Sequence, residues 1–533
     1  MKNALLLFTL LGLLTCSYSQ SIPLWSEDFN AGLANYYSGY PTLKTEADTI
    51  TVTGRKNTPT GQKLFIVKYD LNGDTIATMA YGGDSVSINS IIDYKFDSAN
   101  HIYILHKEQL GFYKSKIVLQ KYSLDGTFHW VQQIQNVGDT SYTPHSLGLI
   151  NDTCLFVTSY KEYDYPEPGD DVISTVSNAY LYCFNSNGLP MWQREFDPAT
   201  EVNIFTYEIF IHDNMAFLFS SNYASYYCLI KIDPNNNMTI NINTGIVGGI
   251  KNLQLTPDSN LILSAGLSYR LTKINLSGSV IWTRSYGTNL PPNVSGDEIK
   301  SLIQDASGNI YVTGRHYGAN YGTPSYTNSD IRTMKCNSSG VNIWENRYAF
   351  GINNGDFGNT IKLKNGNIYV GGESQRLGIG SDLDYVVIRI DSTTGITNGL
   401  YRYDGIMSGN DAVTSLSIFD NGNVALTGLS SGSGLYDWTT QLISDAILNV
   451  TNIEDNSKIS VYPNPVGNGQ SLKIDGAKFK NYILVSSIGT ECSAGSFSNG
   501  SGQSIEIEKI RSGIYLLILR NEDMSITKKI IIY

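Results

Sequence analysis

The chain has 533 residues and a formal net charge of −11, with charged side chains at only 16%, well below the roughly 25% usual in soluble proteins. Hydrophobic residues reach 41%, with 36 Tyr, 18 Phe and 50 Gly, so there is ample material for a core and a disordered chain is excluded. The acidic balance and the lack of any Lys/Arg cluster exclude a phosphate-neutralising face, and with it a nucleic-acid partner.

Met1-Lys2-Asn3 is a short positive start, Ala4 to Leu14 is apolar, and small residues follow at Ser17-Tyr18-Ser19. This order predicts a secretory signal peptide over residues 1–19, cut near Ser19 or Gln20. The apolar run is shorter than the about 20 residues of a membrane anchor, and no other stretch reaches that length, so no transmembrane segment is expected. Thr15, before Cys16, stands where a lipoprotein box carries Gly or Ala. The five cysteines beyond it, Cys154, Cys183, Cys228, Cys336 and Cys492, are odd in number and widely spaced. They do not form the dense pattern of a stapled scaffold. Buried free thiols are expected, with room for one disulfide.

From residue 40 onward a phrase recurs with a period of about 45 to 60 residues, which indicates a propeller or solenoid. It is a turn, then a polar residue, then alternating apolar positions that close on Thr-Gly or similar. In chain order its copies centre on Ile50 to Gly54, Ile102 to Ile104, Leu155 to Val157, Ala216 to Leu218, Leu261 to Leu263, Gly308 to Gly314, Asn365 to Gly372 and Asn421 to Gly428. A second phrase follows the first seven of them: a strand ending in Lys or Arg, a turn with Gly, and a strand that often carries Trp and a final Tyr. Lys273 to Gly278 leads to Trp282, Lys121 to Gly126 to Trp130, and Lys335 to Gly340 to Trp344. Asp or Asn with Gly three residues later is turn chemistry.

Each period therefore reads as four antiparallel strands, and the array as an eight-bladed β-propeller over residues 21–447, with seven blades as the alternative. The eighth copy stops after Trp438 to Leu442, while Ile22 to Phe29 is a Trp-bearing strand without a blade. Pairing the two closes the ring and protects the open edges. The phrases Gly308 to Gly314 and the Trp-and-Tyr strands resemble the secreted bacterial propeller repeats (SBBP-type), a likeness that speaks to fold and hardly to activity.

After a polar linker at 448–458, residues 459–533 carry alternating apolar runs between Gly, Ser and Asn turns, which predict a small sandwich. Tyr462-Pro463-Asn464-Pro465, then Gly513-Ile514-Tyr515, then Lys528-Lys529 before the last strand, resemble the type IX secretion C-terminal sorting domain (type A). The resemblance implies an immunoglobulin-like sandwich recognised by an outer-membrane translocon and a host of the Bacteroidetes type. It also implies cargo either released or held at the cell surface. The sorting signal then rests on Tyr462, Pro463, Asn464, Pro465, Gly513, Tyr515, Lys528 and Lys529.

Several chemistries fail on the residues. Asp70, Asn72 and Asp74 have calcium-loop spacing, but Thr75 replaces the Gly and Tyr81 the bidentate Glu. Ser123 to Trp130 nearly spells a sialidase Asp box, without a residue between Asp125 and Gly126 and without repeats elsewhere. A quinone-cofactor dehydrogenase would commonly show adjacent cysteines, and this chain has no Cys-Cys pair. The six histidines, His101, His106, His129, His145, His212 and His316, have no zinc spacing. No catalytic residue, metal or cofactor is assigned.

The connections between second and third strands read as long loops rich in Tyr, Gly, Ser and Asn, whereas the other hairpin turns are short. Tyr163 and Tyr165 (in Tyr160 to Asn178) and Arg315, His316, Tyr317, Tyr321 and Tyr326 (in Arg315 to Asp330) mark a candidate binding face; Glu373 to Asp384 is a third such loop. Tyr supplies rigid amphipathic contact area. The expectation is an exported, non-enzymatic binding or adhesion module taking a carbohydrate or protein ligand there. The alternative is a polysaccharide hydrolase or lyase.

Overall fold

The computed structural model describes residues 23–29, 40–58, 61–82, 89–111, 114–134, 141–166, 173–196, 209–221, 226–247, 250–265, 269–287, 297–317, 329–349, 355–375, 382–405, 409–432, 435–448, 460–475, 478–486, 491–497, 503–520 and 525–533. The predicted signal peptide and all of the linker after Leu448 lie outside them. The chain folds as two compact units, Pro23–Thr451 and Asn452–Tyr533.

The first unit is built on eight four-stranded antiparallel sheets, with one short helix among its described residues. Blade 1 is β2(Thr42–Glu46), β3(Thr49–Thr58), β4(Gly61–Asp70) and β5(Thr75–Tyr81). Blade 2 is β6(Asn89–Phe96), β7(Ile102–Gly111), β8(Lys114–Tyr122) and β9(Phe128–Ile134). Blade 3 is β10(Ser141–Ile150), β11(Cys154–Pro166), β12(Ile173–Asn185) and β13(Pro190–Phe196). Blade 4 is β14(Ile209–His212), β15(Met215–Ser221), β16(Tyr226–Ile232) and β17(Met238–Val247). Blade 5 is β18(Ile250–Leu255), β19(Leu261–Ala265), β20(Arg270–Ile274) and β21(Val280–Ser285). Blade 6 is β22(Glu298–Gln304), β23(Ile310–Tyr317), β24(Ser329–Cys336) and β25(Asn342–Tyr348). Blade 7 is β26(Asp356–Lys364), β27(Asn367–Gln375), β28(Leu383–Asp391) and β29(Thr397–Tyr403). Blade 8 takes β30(Asp411–Ile418), β31(Val424–Gly432) and β32(Leu435–Ile443) from the end of the array and β1(Trp25–Phe29) from its start.

That last pairing closes the ring as expected, with Trp25 opposite Leu442 and Phe29 opposite Trp438. The first strands of blades 8 and 1 also pack side by side, as those of blades 6 and 7 do. Apolar cores lie between neighbouring blades. The core at the closure joins Ile50, Val52, Phe65 and Val67 of blade 1 to Ala425, Trp438 and Leu442 of blade 8, with Trp25 and Phe29 against it.

The Trp and turn phrases are the two halves of one contact. A Trp on the fourth strand of one blade reaches the third-to-fourth turn of the next and donates its indole N–H to a turn carbonyl. Trp130 reaches Ser186 (3.2 Å), Trp192 Pro234 (2.7 Å), Trp282 Ser338 (3.3 Å) and Trp344 Ser392 (3.1 Å). Trp25, on the N-terminal strand, donates to Leu71 of blade 1 at 3.0 Å, so the closure repeats an ordinary blade junction. Between blades 1 and 2 the Tyr81 hydroxyl donates to Leu124 instead (2.5 Å). At the junction of blades 7 and 8, Gly399 pairs with Arg389 where Trp344 pairs with Lys335, and the Leu448 carbonyl lies against Gly399. Leu448 ends the short helix α1(Asp445–Leu448), whose Asp445 is ion-paired with Arg389.

The loop expectation needs two corrections. Strands β11 and β12 run on through the stretch expected to be a loop, so Tyr163 and Tyr165 are strand residues opposite Val176 and Ser174. Tyr160, Tyr163 and Tyr165 on one strand and Ile173, Thr175 and Val176 on the other favour an extended ladder over a loop. In blades 1, 2 and 8 the second-to-third connections are only residues 59–60, 112–113 and 433–434, not long loops.

The second unit is a sandwich of a three-stranded sheet, β33(Ser460–Tyr462), β34(Gln470–Asp475) and β37(Gln503–Ile507), and a four-stranded one. The latter has β36(Glu491–Ser496), β35(Asn481–Ser486), β38(Gly513–Arg520) and β39(Ser525–Ile532) in spatial order. Leu472, Ile474, Ile505 and Ile507 of the first meet Leu484, Leu517, Leu519 and Ile530 of the second in one core.

Candidate functional site

Each first strand begins, and each second strand ends, on the same side of the ring. There the first strands of blades 2, 3, 5, 6, 7 and 8 each carry a β-bulge, at Ile92, His145, Lys251, Lys300, Asn359 and Thr414. A bulge leaves its extra residue unpaired and re-aims its side chain. The sequence signal is an apolar spacing of three where a strand has two: Ile299 then Leu302, and Val413 then Leu416, all buried. Sequence reasoning passed over it.

Two of the bulge residues are lysines, and they converge. Lys251 of blade 5 and Lys300 of blade 6 point at Glu298, the first residue of β22, at 3.7 and 3.0 Å. Arg315, opposite Glu298 in the ladder, joins them at 3.3 Å. The Glu298 side chain is 5% exposed, while those of Lys251 and Lys300 are 46% and 40% exposed. Arg315 also lies 6.0 Å from the ring centroid of Phe357 in blade 7, and Phe357 pairs with Glu373. Burial pushes the Glu373 carboxyl up to about 7, although Lys300 and Arg315 pull it the other way. Lys251, Lys300 and Arg315 thus face Glu298, Lys300 and Arg315 also act on the raised Glu373 carboxyl, and the two lysine side chains remain partly open to solvent. Such a surface accepts anions and can hold or release one proton.

The predicted face is partly reached by this cluster. Arg315 belongs to it. His316 is on the same strand end but is 1% exposed, its Nδ1 set 2.9 Å from Asp297 Oδ2, so its ring is enclosed and supports the strand end. Tyr317 ends β23 opposite Ser329. Tyr163 and Tyr165 lie on the long hairpin of blade 3, and Tyr321 and Tyr326 fall outside the described residues.

The rejected calcium spacing is an ordinary turn: Asp70 Oδ1 accepts the backbone N–H groups of Asn72 (2.8 Å) and Asp74 (2.9 Å). Asp305 and Asp233 fold onto their own turns in the same way.

In the second unit the separated phrases meet. The peptide bonds before Pro463 and Pro465 are cis. Asn464 Oδ1 accepts the Ile531 N–H at 2.9 Å, and Val466 N–H donates to the Ile531 carbonyl at 2.8 Å, so the Tyr-Pro-Asn-Pro phrase is laid against the last strand. Tyr462 donates to Asp475 (2.5 Å) and Tyr515 to the Arg511 carbonyl (2.7 Å), two residues before Gly513. Lys528 is half-buried, which lowers its pKa; Lys529 stands opposite Leu516 in the ladder.

Residues 460–533 match the family described as the secretion system C-terminal sorting domain. The protein is exported by the type IX system. Its destination is the cell surface or beyond, and its sorting domain is the part that engages the secretion machinery. No curated protein matches the chain. Among solved structures, virginiamycin B lyase from Staphylococcus aureus is 11% identical, covering 79% of this chain and 99% of its own, with a TM-score of 0.36. A polysaccharide lyase is 9% identical, covering 76% and 89%, with a TM-score of 0.37. The quinohemoprotein alcohol dehydrogenase of Comamonas testosteroni is 8% identical, covering 80% and 78%, with a TM-score of 0.42. Identities and scores of this size say nothing about activity.

Proposed function

We propose that the propeller is an exported recognition module that binds an acidic ligand, best fitted by an anionic polysaccharide, at the bulged strand ends of blades 5 to 7. The observation that carries this is the excess of cations around Glu298: Lys251, Lys300 and Arg315 converge on one buried carboxylate, and both lysine side chains are 40% or more exposed. A carboxylate or sulfate group on a sugar would pair with the partly exposed Lys251 and Lys300, and Phe357 beside Arg315 offers an aromatic ring to a sugar. The tyrosines of the neighbouring strand ends and loops extend the contact area in this reading, and adhesion at the cell surface is its biological form.

One observation favours the alternative, polysaccharide cleavage: a Glu373 carboxyl that titrates near 7 is suited to general acid–base work. Both readings are tested together with the full exported chain on an array of acidic and neutral glycans, with new reducing ends measured on every glycan bound. Retention of acidic glycans only, lost about tenfold or more in Lys251→Ala/Lys300→Ala and without new reducing ends, is the expected result; a tenfold loss is about 1.4 kcal/mol. Undiminished binding by the double variant would overturn the site. New reducing ends that vanish in Glu373→Gln would replace recognition by catalysis.

A further inference from the structure

Cys154 opens β11 and Cys183 lies near the end of β12, strands whose register sets Cys154 opposite Asn185 and Phe156 opposite Cys183. The two cysteines are therefore diagonal neighbours on one face of blade 3. Both are buried, at 2% and 0% exposure, in the apolar core shared with blade 4, among Phe156, Ile209, Ile230 and Ile232. Their sulfurs stand 2.7 Å apart, inside the ~3.5–4.0 Å at which even smaller carbon atoms rest in contact. Apart from each other, the sulfur within reach is Met191 Sδ, 3.8 Å from Cys183. Cys154, Cys183, Cys336 and Cys492 are unbonded thiols in this structure, and Cys336, buried in blade 6, and Cys492, exposed in the sorting domain, lie in other elements of the chain.

From this juxtaposition, and from the export route, we infer that Cys154 and Cys183 are the site of a structural disulfide made as the chain crosses the periplasm. Disulfides form and persist in that oxidising compartment. The oxidant is the disulfide of a thiol–disulfide oxidoreductase. One cysteine, as thiolate, attacks a sulfur of that disulfide, breaking its S–S bond and forming a mixed disulfide while one oxidant thiol leaves. The second cysteine attacks the sulfur of the first, forming the Cys154–Cys183 bond and releasing the other oxidant thiol. The chain loses two electrons and two protons, and the oxidant gains them as a dithiol.

Timing follows from burial. Once Ile209, Ile230 and Ile232 of blade 4 cover the pair, no oxidant can reach it, and Cys183's thiol is pushed far up by the neighbouring Cys154 and by burial. The bond therefore forms at the stage of the blade 3 hairpin, before the ring is complete. It then ties together the long β11–β12 hairpin at its inner end.

The test is differential alkylation of the full chain recovered from the cell exterior, denatured, and mapped by peptide mass spectrometry before and after reduction. The expected result is that Cys154 and Cys183 are alkylated only after reduction, in a peptide pair lighter by two hydrogens before it, while Cys336 and Cys492 are alkylated directly. The same chain without residues 1–19, kept in the cytoplasm, is expected to show both cysteines alkylated without reduction. A second readout is the melting temperature: a reductant should lower it in the wild type and leave Cys154→Ala/Cys183→Ala unmoved. Direct alkylation of both residues in exported protein would overturn the inference, as would Cys183 joined to any other cysteine.

Discussion

Gly73 offers a direct test of how the ring is closed. It sits in the third-to-fourth turn of blade 1 at φ +93°, and a Cβ there would lie 2.9 Å from the Trp25 ring. Gly126 holds the same place in blade 2 at φ +91°, with nothing within 4 Å of its Cβ position. Gly126→Ala therefore measures the backbone strain alone, about 1–2 kcal/mol. Gly73→Ala adds the displacement of the indole. That displacement strains its N–H bond to Leu71, about 1 kcal/mol net, and its packing against Tyr69, 5.7 Å away between ring centroids. The expected cost is about 2–4 kcal/mol, and the excess over Gly126→Ala, about 1–2 kcal/mol, should disappear in the Trp25→Ala background, where the ring is gone. Urea unfolding of the four chains of the cycle, with Gly126→Ala beside them, reads this. Equal costs at the two glycines, or strict additivity with Trp25→Ala, would mean that the N-terminal strand is not seated on blade 1 and that the closure is wrong.

Lys56 tests the same junction from the other side: its ammonium donates to the Phe29 carbonyl (2.6 Å) and pairs with Asp437 (3.0 Å). Lys56→Met is expected to cost about 2 kcal/mol, the scale of hydrogen bonds to charged groups, in the same urea series. Glu373 sets a pH dependence. Burial raises it from 4.5 to about 7, so the folded chain holds that proton more tightly than the unfolded one. Its contribution is complete below pH ~4.5, is lost as pH rises to about 7, and is level above that. Asp411, raised by burial from 3.8 to about 7, acts in the same direction. The melting temperature should therefore fall across this window, less steeply in Glu373→Gln, and an identical slope in the variant would remove Glu373 from the account. Deleting 459–533 should leave the chain inside the outer membrane, checked by cell fractionation. Asn464→Ala, which strips the acceptor from the Ile531 N–H, should lower the melting temperature of the sorting domain by a loss of about 1 kcal/mol.

What could be read from the sequence, and what could not, divides by the range of the interaction. The blades were legible because their signals are local: an Asp or Asn that folds onto its own turn, a Gly that accepts positive φ, and a Trp at a fixed remove from both. The closure was legible for a related reason, since Trp25 carries the same signal as Trp130 and makes the same contact, so a strand without a blade and a blade without a strand identify each other. The tail was legible because Asn464 and Ile531, though far apart in the chain, each sit in a phrase that is distinctive by itself. The charged cluster had no such marker. Lys251, Glu298 and Glu373 lie in three successive blades, and only the ring brings them to one place. A local cue did exist, the apolar spacing of three that a bulge imposes at Ile299 and Leu302, but it names the strand that bends and not the partner it bends toward. His316 shows the converse: beside Arg315 and Tyr317 it reads as one of an exposed group, yet the alternation of a strand turns it inward onto Asp297. Reading a loop where the ladder continues therefore misplaces a side chain such as His316 by a whole face of the sheet, while Arg315 beside it reaches Glu298 and joins the cluster on which the proposed site rests.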